Sequence, residues 1–422
     1  MTGEADPPAD GGPNLLLVCV DCLREDFLRT DRTETPFLDD LRARGRSCPN
    51  LYATATTTTP CIASLLTGTY GERNGVQSLQ RGSLSPDVRS LAEVLGDRGY
   101  HTEALVTGPL LPETGLDRGF DEYDCRERSA SLFGDWRERA LGRLRTLPDP
   151  FFAFVHLWEL HEDVHVPPAF DEPRYGETPY GRALSALDGH LRRLVDAVPE
   201  DTVVAVVGDH GESVTHRHNP LRLLAKSVRD AVRYYGGVDT RDVVGRLNRA
   251  LDDRGPDIAD HFIENGHGEN VYDFTTNVPF VLAGPGISPA TVDAQVRQVD
   301  VFPTLLDALG VEADVEVDGD AIRPEAGVDD RPAYMRACGT SLHRQKNHAR
   351  AIRAEGLCYV EYPDRDWSPE LYDLAADPRQ LAPVADPDRA ARLRRLLPTT
   401  DGALDEAERL DVDDRLRDLG YL

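Results

Sequence analysis

The stretch PNLLLVCVDCLRED (residues 13–26) decides the fold, because an acidic residue follows directly on a continuous apolar run. Runs in which every residue is apolar, and not every second one, belong to strands that are covered on both faces. Four further segments of strand length have this character: EALV (103–106), FFAFVHLW (151–158), TVVAVVG (202–208) and VPFVLAG (278–284). Together the five segments predict a mainly parallel sheet buried between helices.

Segments with helical spacing lie between these strands. SLAEVLGDRG (90–99), YGRALSALDGHLRRLVDAV (180–198) and DVFPTLLDALG (300–310) repeat apolar residues every three or four positions, and the first and last end on glycine. Strands that alternate with helices are typical of α/β proteins. We therefore expect a three-layer α/β/α sandwich with a mainly parallel, mixed central sheet.

The chain divides into segments of different composition. Residues 1–12 are acidic and rich in proline and glycine, without an apolar signal segment, and we expect them to form a disordered leader. Residues 13–325 are predicted to form the main domain. Residues 326–422 contain short β-like pieces and then helices, which indicates a small C-terminal α+β subdomain.

Residues 217–262 interrupt the main domain and are predicted to form two amphipathic helices. This insertion is either a helical hairpin packed on the body, or a lid or dimer contact over the site. The two apolar faces are formed by Leu221, Leu224, Val228, Ala231 and Tyr235, and by Val243, Val244, Leu247 and Leu251.

The composition restricts the partners of the protein. A net charge of -27 repels nucleic acid and anionic membranes, so we expect neither as a partner. No run approaches the ~18 apolar residues of a membrane span, and we expect a cytoplasmic protein. Because Lys226 and Lys346 are the only lysines, the basic residues are nearly all arginine, and with the abundant aspartate this composition resembles proteins of salt-loving archaea. The sequence does not indicate an oligomeric state.

The seven cysteines do not form a recognisable disulfide framework, because their number is odd and they are scattered. Cys19 and Cys22 make a CxxC pattern at the end of the first apolar strand. A redox or zinc role is the alternative there, but buried, reduced thiols are the preferred interpretation.

Polar residues with metal-binding chemistry follow two of the predicted strands. Ligand sites in α/β sheets gather at the carboxyl ends of strands. Asp21 leaves the first strand, where it is either a metal ligand or a helix cap. Asp209 and His210 leave the strand 202–208 directly before Gly211, and such a pair is able to offer an oxygen and a nitrogen to one cation or to serve as a structural loop pair.

A threonine run precedes a predicted helix in TTTTPCIASLLTG (56–68). Pro60 suits the first helical turn, so Thr58 or Thr59 lies where free N–H groups and the helix dipole attract an anion. A hydroxyl there is either an activated nucleophile or a plain helix cap. Further histidines also follow strands, namely His156, His161, His165 and His267.

The order of these motifs resembles the sulfatase family of the alkaline phosphatase superfamily over about residues 13–422. The resemblance implies one divalent cation (Mn, Mg or Ca, with Zn possible) and a small anionic ester as substrate. It implies that Thr58 is the nucleophile and that His161 and His267 contact the charged oxygens of the substrate. The implied cation ligands are Asp21, Thr58, Asp209 and His210. The matching segments are PNLLLVCVDCLRED, TTTTPCIASLLTGTYGERNGV, the His161 region ending in Pro167-Pro168, VVGDHGE, GHGENVYDFTTNVPFVLAGPGI, QVRQVDVFPTLLDALGV, LYDLAADP and LGYL.

The sequence departs from true sulfatases at the nucleophile. They carry a cysteine, oxidised to formylglycine, two residues before the motif proline and an arginine two residues after it, whereas Thr58 and Ile62 occupy these places here. Cys61 follows Pro60 and cannot substitute. Cys22 stands where classical sulfatases have another metal-binding aspartate. Thr58 instead resembles the nucleophile of the phosphotransferase and phosphodiesterase branches.

We therefore expect a metal-dependent hydrolase that cleaves a phosphate, phosphodiester or phosphonate ester through a covalent threonine intermediate. The alternatives are a sulfuric ester hydrolase, a phosphoalcohol transferase and a catalytically inactive sulfatase-like binding protein. Four other residues match positions that are polar in relatives, but a structural role is the preferred interpretation for each. They are Arg24, Arg73, Asn74 and Asn277.

Overall fold

The computed structural model describes residues 12–29, 33–127, 129–161, 164–214, 220–252, 258–264, 266–338, 348–399 and 408–418. Apart from Gly12, the predicted leader lies outside the described residues, as does the closing LGYL motif.

The main sheet is built around β1, which pairs in parallel with β5 on one side and β6 on the other. Its strands follow the order β4-β3-β5-β1-β6-β7-β2-β8, with β9 beside β2, and β7 runs antiparallel to both of its neighbours. The mainly parallel, mixed sheet of the prediction is therefore confirmed. The strands are β1 (Leu15–Val20), β2 (Arg46–Tyr52), β3 (His101–Val106), β4 (Glu122–Cys125), β5 (Phe151–Leu157), β6 (Val203–Gly208), β7 (Asn277–Ala283), β8 (Ala290–Thr291) and β9 (Val296–Arg297).

Helices cover both faces of the sheet because every residue of β1 is buried and successive side chains point to opposite faces. Leu15, Leu17 and Cys19 pack with one set of helices, α2, α4 and α10, whereas Leu16 and Val18 pack with α1, α5 and α6. The three layers of the prediction are thus observed. These helices are α1 (Pro36–Arg44), α2 (Thr58–Thr67), α4 (Leu91–Gly96), α5 (Trp136–Leu144), α6 (Pro179–Val195) and α10 (Val301–Ala308), and the short helices α3 (Gly71–Asn74) and α9 (Asp273–Thr276) lie in connections.

A second sheet of four antiparallel strands lies in the C-terminal region, in the order β10-β11-β12-β13. Its strands β11 and β12 were expected as β-like pieces, whereas β10 and β13 were not. The elements are β10 (Ala333–Ala337), β11 (Ala349–Ala354), β12 (Leu357–Glu361), β13 (Glu370–Asp373), α11 (Pro387–Arg394) and α12 (Asp413–Asp418).

The insertion contains two helices, α7 (Pro220–Asp230) and α8 (Arg241–Asp252), and a π-helical turn, Ala231–Tyr235, continues α7. The apolar face of α7 is exposed, which the helical spacing alone did not indicate. The charged face of α7 packs inward instead, because Arg229 pairs with the buried Glu264. None of the helices in the described ranges is both long and apolar enough to cross a bilayer.

Candidate active site

Asp21 and Asp209 come together because β1 and β6 are adjacent parallel strands. Val20 stands opposite Gly208 in the strand register, so the next residue of each strand leaves the sheet at the same edge. The N–H of Asp21 still donates to the carbonyl of Leu157 on β5 (2.7 Å), which holds the turn against the sheet. Both aspartates are fully buried. The sheet thus places two carboxylates side by side in its interior.

The main chain around Asp209 fixes the orientation of one carboxylate oxygen. Its Oδ1 accepts hydrogen bonds from the main-chain N–H groups of His210 (2.7 Å) and Cys22 (3.1 Å). Cys22 adopts φ 62°, a left-handed conformation that turns its N–H toward Asp209. The hydrogen bond to Asp209, which follows β6, therefore fixes the conformation of the turn after β1.

Thr58 is the first residue of α2 and lies against this carboxylate pair. Its Oγ1 is 3.3 Å from Nε2 of His210 and lies beside the Asp21 carboxylate, whose pKa it acts to lower. The preceding residue, Thr57, makes no side-chain capping bond to the helix. The hydroxyl of Thr58 consequently lies beside the free N–H groups of a helix N-terminus, where negative charge is stabilised.

The imidazole of His210 is neutral, and its tautomer is defined by a main-chain contact. Nδ1 lies 3.1 Å from the carbonyl oxygen of Gly211, so Nδ1 carries the proton and donates it, which leaves the lone pair on Nε2. Burial lowers the pKa of His210 to about 4. Nε2 therefore offers a lone pair toward Thr58 and the aspartates at neutral pH.

The two aspartates have opposite pKa shifts. Burial, and then the charge of Asp209, raises the pKa of Asp21 well above its usual value. Burial also acts to raise the pKa of Asp209, but His210 and His156 outweigh this effect and lower it. Two adjacent buried carboxylates are thus stable together only when a positive charge or a proton lies between them.

These residues fit a divalent cation. Oδ2 of Asp21 and Oδ2 of Asp209 are both buried, and neither has a hydrogen-bond partner among the described residues. Ligand atoms of Asp21, Asp209 and His210 all lie within 4.8 Å of one another. Two carboxylate oxygens and an imidazole nitrogen suit Mg, Mn or Zn. A divalent cation between the two carboxylates would satisfy both of these Oδ2 atoms.

Cys22 belongs to two further groups of possible ligands, one with Asp21 and His161 and one with His210 and His267. Its Sγ is 3.1 Å from Oδ1 of Asp21. Burial, followed by the charge of Asp21, raises the pKa of the Cys22 thiol well above its usual value. A neutral thiol is a poor cation ligand, so oxygen and nitrogen atoms dominate this cluster.

His161 and His267 lie on the open side of the cluster. Their ring centroids are 5.2 Å apart, and the ring of His267 is 4.4 Å from that of His210. Nδ1 of His267 is 3.7 Å from Oε1 of the fully buried Glu212. The structure therefore brings all six predicted site residues into one place, while their individual roles stay predictions.

The other histidines after strands behave differently from each other. His156 is buried on β5, where Nδ1 contacts the hydroxyl of Thr107 (2.8 Å) and Nε2 lies 3.9 Å from Oδ2 of Asp209. Its imidazole therefore lies near Asp209 without a direct hydrogen bond to Oδ2. His165 is exposed and does not belong to the groups of possible ligands.

The residues for which a structural role was preferred have structural contacts. Arg24 is fully buried and pairs with Asp26 (2.6 Å) and Asp260. The partly exposed Arg73 pairs with Asp318 and Glu316.

The two asparagines bond to the main chain. Asn74 donates to the carbonyl of Thr69 (2.9 Å), and Asn277 donates to the carbonyls of Pro49 (3.1 Å) and Leu51 (3.3 Å). Ile62 packs in the core that includes α2. The described cysteines are all free thiols, as the sequence indicated.

Gln298 was not predicted as a site residue from the sequence. It lies just before α10, is fully buried, and donates from Nε2 to the main-chain carbonyl of Asp209 (2.8 Å). Glu212 was also missed, although it directly follows the motif Asp209-His210-Gly211. The position of Glu212 directly after this motif could have indicated a site residue. No nearby motif marks Gln298 in the sequence.

Comparison with known proteins defines the class. The family model described as Sulfatase matches residues 13–311, so the chain belongs to the sulfatase family. Sulfatases and their structural neighbours hydrolyse ester bonds, which agrees at the level of the family with the expected hydrolase.

Two curated relatives match over most of their length. The chain is 23% identical to an N-acetylgalactosamine-6-O-sulfatase of Bacteroides thetaiotaomicron (88% of this chain, 89% of the relative). It is 22% identical to arylsulfatase K of Gallus gallus (90% and 80%). Two other matches, to arylsulfatase K of Xenopus laevis and a Delta 4,5-hexuronate-2-O-sulfatase of Bacteroides thetaiotaomicron, span only 34% and 29% of those proteins.

Solved structures share the fold. A phosphonate monoester hydrolase of Agrobacterium radiobacter superimposes with a TM-score of 0.66 at 18% identity, covering 91% of this chain and 94% of that one. A structure described as a 2-O GAG sulfatase gives a TM-score of 0.63 at 17% identity, covering 94% and 97%. At these identities the likeness establishes the fold alone.

Proposed function

We propose that this protein is a metal-dependent hydrolase in which Thr58 is the nucleophile that cleaves a phosphate, phosphodiester or phosphonate ester. The observation that carries the proposal is the position of the Thr58 hydroxyl, 3.3 Å from Nε2 of His210 and beside the carboxylate of Asp21. A threonine that only capped α2 would turn its hydroxyl to the helix N–H groups.

In the proposed reaction, Oγ1 of Thr58 forms a bond to phosphorus as the bond to the leaving oxygen breaks. The hydroxyl proton passes to a water molecule. Negative charge on the threonine oxygen is favoured by the N-terminus of α2. Water then cleaves the phosphothreonine and restores the hydroxyl.

His161 and His267 are the proposed donors to the substrate. The His267 ring lies next to His210, and the His161 ring lies next to His267 and within reach of Asp21. An imidazole is able to donate a hydrogen bond to a nonbridging oxygen or to protonate the leaving oxygen near neutral pH. Glu212, 3.7 Å from Nδ1 of His267, orients that ring.

The proposed cation ligands are Asp21, Thr58, Asp209 and His210. When bound, a divalent cation would lower the pKa of the Thr58 hydroxyl and neutralise charge on the ester oxygens. Mn, Mg, Ca and Zn are the candidates, and the neutral imidazole of His210 favours Mn or Zn within this set. The substrate is a small anionic ester.

The test compares three variants on aryl phosphate, aryl phosphodiester, aryl phosphonate monoester and aryl sulfate, with each metal added. Thr58→Ala is expected to lower kcat by at least about a thousandfold. Thr58→Ser keeps a hydroxyl and is expected to retain part of the rate. Thr59→Ala is the matched control, because Thr59 is an equally buried threonine whose hydroxyl contacts the carbonyl of Pro109 instead.

Intact-protein mass spectrometry of rapidly quenched reactions is expected to show a phosphorylated wild type and an unmodified Thr58→Ala variant. Full activity of Thr58→Ala on every ester would refute the nucleophile. If Thr58→Ala is inactive but the wild type hydrolyses aryl sulfate faster than every phosphorus ester, the nucleophile stands and the substrate class is wrong.

A sulfuric ester hydrolase is the second candidate, because the family match and the curated relatives are sulfatases. Thr58 argues against it, because a threonine cannot form the aldehyde hydrate that lets sulfatases release sulfate. An inactive binding protein is the third candidate. Metal analysis of the purified protein and a ligand-binding assay distinguish it. Two results together would favour a binding protein: the wild type contains no divalent cation, and Asp209→Ala binds the ligand as well as the wild type does.

A further inference from the structure

Helix α7 and its π-helical continuation are amphipathic with the apolar side outward. Leu221, Leu224, Val228 and Tyr235 follow one another at helical spacing, and their exposed fractions are 76%, 62%, 56% and 76%. Val232, exposed to 41%, completes the stripe. Surface helices of globular proteins turn this side toward the core. We call these five residues the α7 stripe.

The opposite, charged side of α7 is held against the body of the protein. Arg229 pairs with Glu264 through both guanidinium nitrogens (3.0 and 3.3 Å) and approaches Glu269. Lys226 pairs with Asp230 (2.8 Å) and lies 3.4 Å from Glu269. All these side chains except Lys226 are buried.

These ion pairs fix the rotation of the helix. Turning α7 to bury its apolar stripe would leave the buried Glu264 and Glu269 without their cations. Leaving a buried carboxylate without its cation in this way is strongly destabilising. The stripe therefore faces away from the part of the chain that the structure describes, where a second molecule is able to cover it.

The exposed area of the α7 stripe is large enough for a dimer interface. The five residues of the stripe expose roughly 550 Å² per chain, so two copies would bury about 1,100 Å², just above the roughly 1,000 Å² that a specific interface needs. Monomeric proteins rarely leave so large an apolar patch uncovered. The area thus suits a second copy of the chain.

The charges around α7 favour a protein partner over a lipid surface. A helix that binds the membrane surface presents lysine and arginine on its flanks, whereas Lys226 and Arg229 point inward and are already paired. The net charge of -27 also opposes an anionic bilayer. The same charge opposes a second copy at low salt, but the five stripe residues themselves carry no charge.

We propose that the α7 stripe is the interface of a two-fold symmetric homodimer of this protein. A two-fold axis through the middle of the helix pairs the stripe with itself and leaves no open face, which closes the assembly at two chains. Because the interface is apolar and the chains repel each other, salt strengthens the dimer by screening the charge.

The first test is sedimentation equilibrium of the full chain over a range of protein and KCl concentrations. Wild type is expected at twice the 46.6 kDa chain mass, with a dissociation constant that falls as KCl rises. Leu224→Glu combined with Val228→Glu is expected to raise that constant at least about a hundredfold. Val384→Glu with Leu396→Glu is the matched control, because these residues are comparably exposed outside the insertion.

A cross-linking experiment keeps the proposal testable if the double variant misfolds. Ser227 is exposed beside the stripe, and Ser227→Cys is expected to give a disulfide-linked dimer under mild oxidation. A wild type that stays monomeric at every salt concentration overturns the proposal, as does a stable dimer unaffected by Leu224→Glu with Val228→Glu. Flotation of a monomeric wild type with phospholipid vesicles, lost in the double variant, would assign the stripe to a lipid surface and likewise overturn it.

Discussion

Gln298 donates a hydrogen bond of 2.8 Å from its side-chain amide to the main-chain carbonyl of Asp209. Its other amide atom, Oε1, accepts bonds from the main-chain N–H (3.2 Å) and the hydroxyl (3.1 Å) of Thr54. Thr54 lies between β2 and α2, the helix that begins with Thr58. One buried side chain thus connects the segment before the proposed nucleophile with the proposed cation ligand.

Replacing Gln298 with alanine is expected to weaken cation binding about 10–100-fold, as does loss of other residues that orient metal ligands. It also leaves buried groups of Asp209 and Thr54 unpaired, which lowers the free energy of unfolding by about 1–3 kcal/mol. Calorimetric titration of the cation and urea unfolding measure the two effects.

Gln77→Ala is the control, because Gln77 is a buried glutamine that bonds to Gly71 and Arg336. This variant is expected to lower stability without changing cation affinity. Equal cation affinity of the two variants would contradict the role of Gln298.

The central strands were predictable from sequence because burial on both faces makes them continuously apolar. Strand β2 was missed for the opposite reason. It begins with Arg46 and Ser47 and contains Pro49, which cannot donate to a neighbouring strand, and its pairing with β7 is irregular between Cys48 and Leu51. Tertiary pairing, and not local pattern, makes this segment a strand.

The position of the site was predictable because parallel neighbours end at one edge of the sheet. The orientation of α7 was not, because it depends on acids that lie far along the chain from the helix. The apolar spacing of Leu221, Leu224 and Val228 correctly predicts a helix, but it cannot reveal that Glu264 attracts the opposite side. Buried ion pairs of this kind override the usual preference of apolar residues for the core.

Replacing Cys22 with aspartate is expected to tighten cation binding by at least about tenfold, because affinity rises with the number of charged ligands. Sγ of Cys22 is 3.1 Å from Asp21, so the new carboxylate would join the cluster. Aspartate tolerates the left-handed conformation at this position. Without a cation the variant is expected to unfold at a lower temperature than wild type, since three carboxylates repel each other. Calorimetry with and without metal measures both effects.

Cys22→Asn is the matched control for this variant. Asparagine has the shape of aspartate and the same tolerance of the left-handed conformation, but it adds no charge. The gain in cation affinity is expected only for the aspartate. An equal gain for Cys22→Asn, or no gain for Cys22→Asp, would show that Cys22 does not face the cation.

Glu264 is expected to make the protein sensitive to acid. Burial acts to raise its pKa, but Arg229 and then Arg233 outweigh burial and lower the pKa to about 2. A carboxylate with a lowered pKa stabilises the fold above its ordinary range near pH 4.5, and this contribution is lost as the pH falls toward 2. Glu264→Gln is therefore expected to lower the free energy of unfolding by about 3 kcal/mol at pH 7 and by less at pH 3.

Urea unfolding of wild type and Glu264→Gln at pH 7, 5 and 3 measures this difference. Glu316→Gln is the control, because Glu316 also pairs with an arginine but its side chain is 87% exposed, and exposed pairs contribute little. A difference between wild type and Glu264→Gln that is independent of pH would contradict the proposed ion pair.

The charge of the chain predicts that salt stabilises it. A net charge of -27 makes the folded protein repel itself, and the Debye length falls from about 10 Å at 0.1 M to about 3 Å at 1 M salt. The urea midpoint is therefore expected to rise steeply with KCl and then level off once the charges are screened. Salt that acted only by exclusion from the protein surface would give a rise that continues with concentration. The measurement is made in the presence of a chelator, so that ion binding at Asp21 and Asp209 does not contribute. A midpoint that is highest without added KCl would refute both this prediction and the resemblance to proteins of salt-loving archaea.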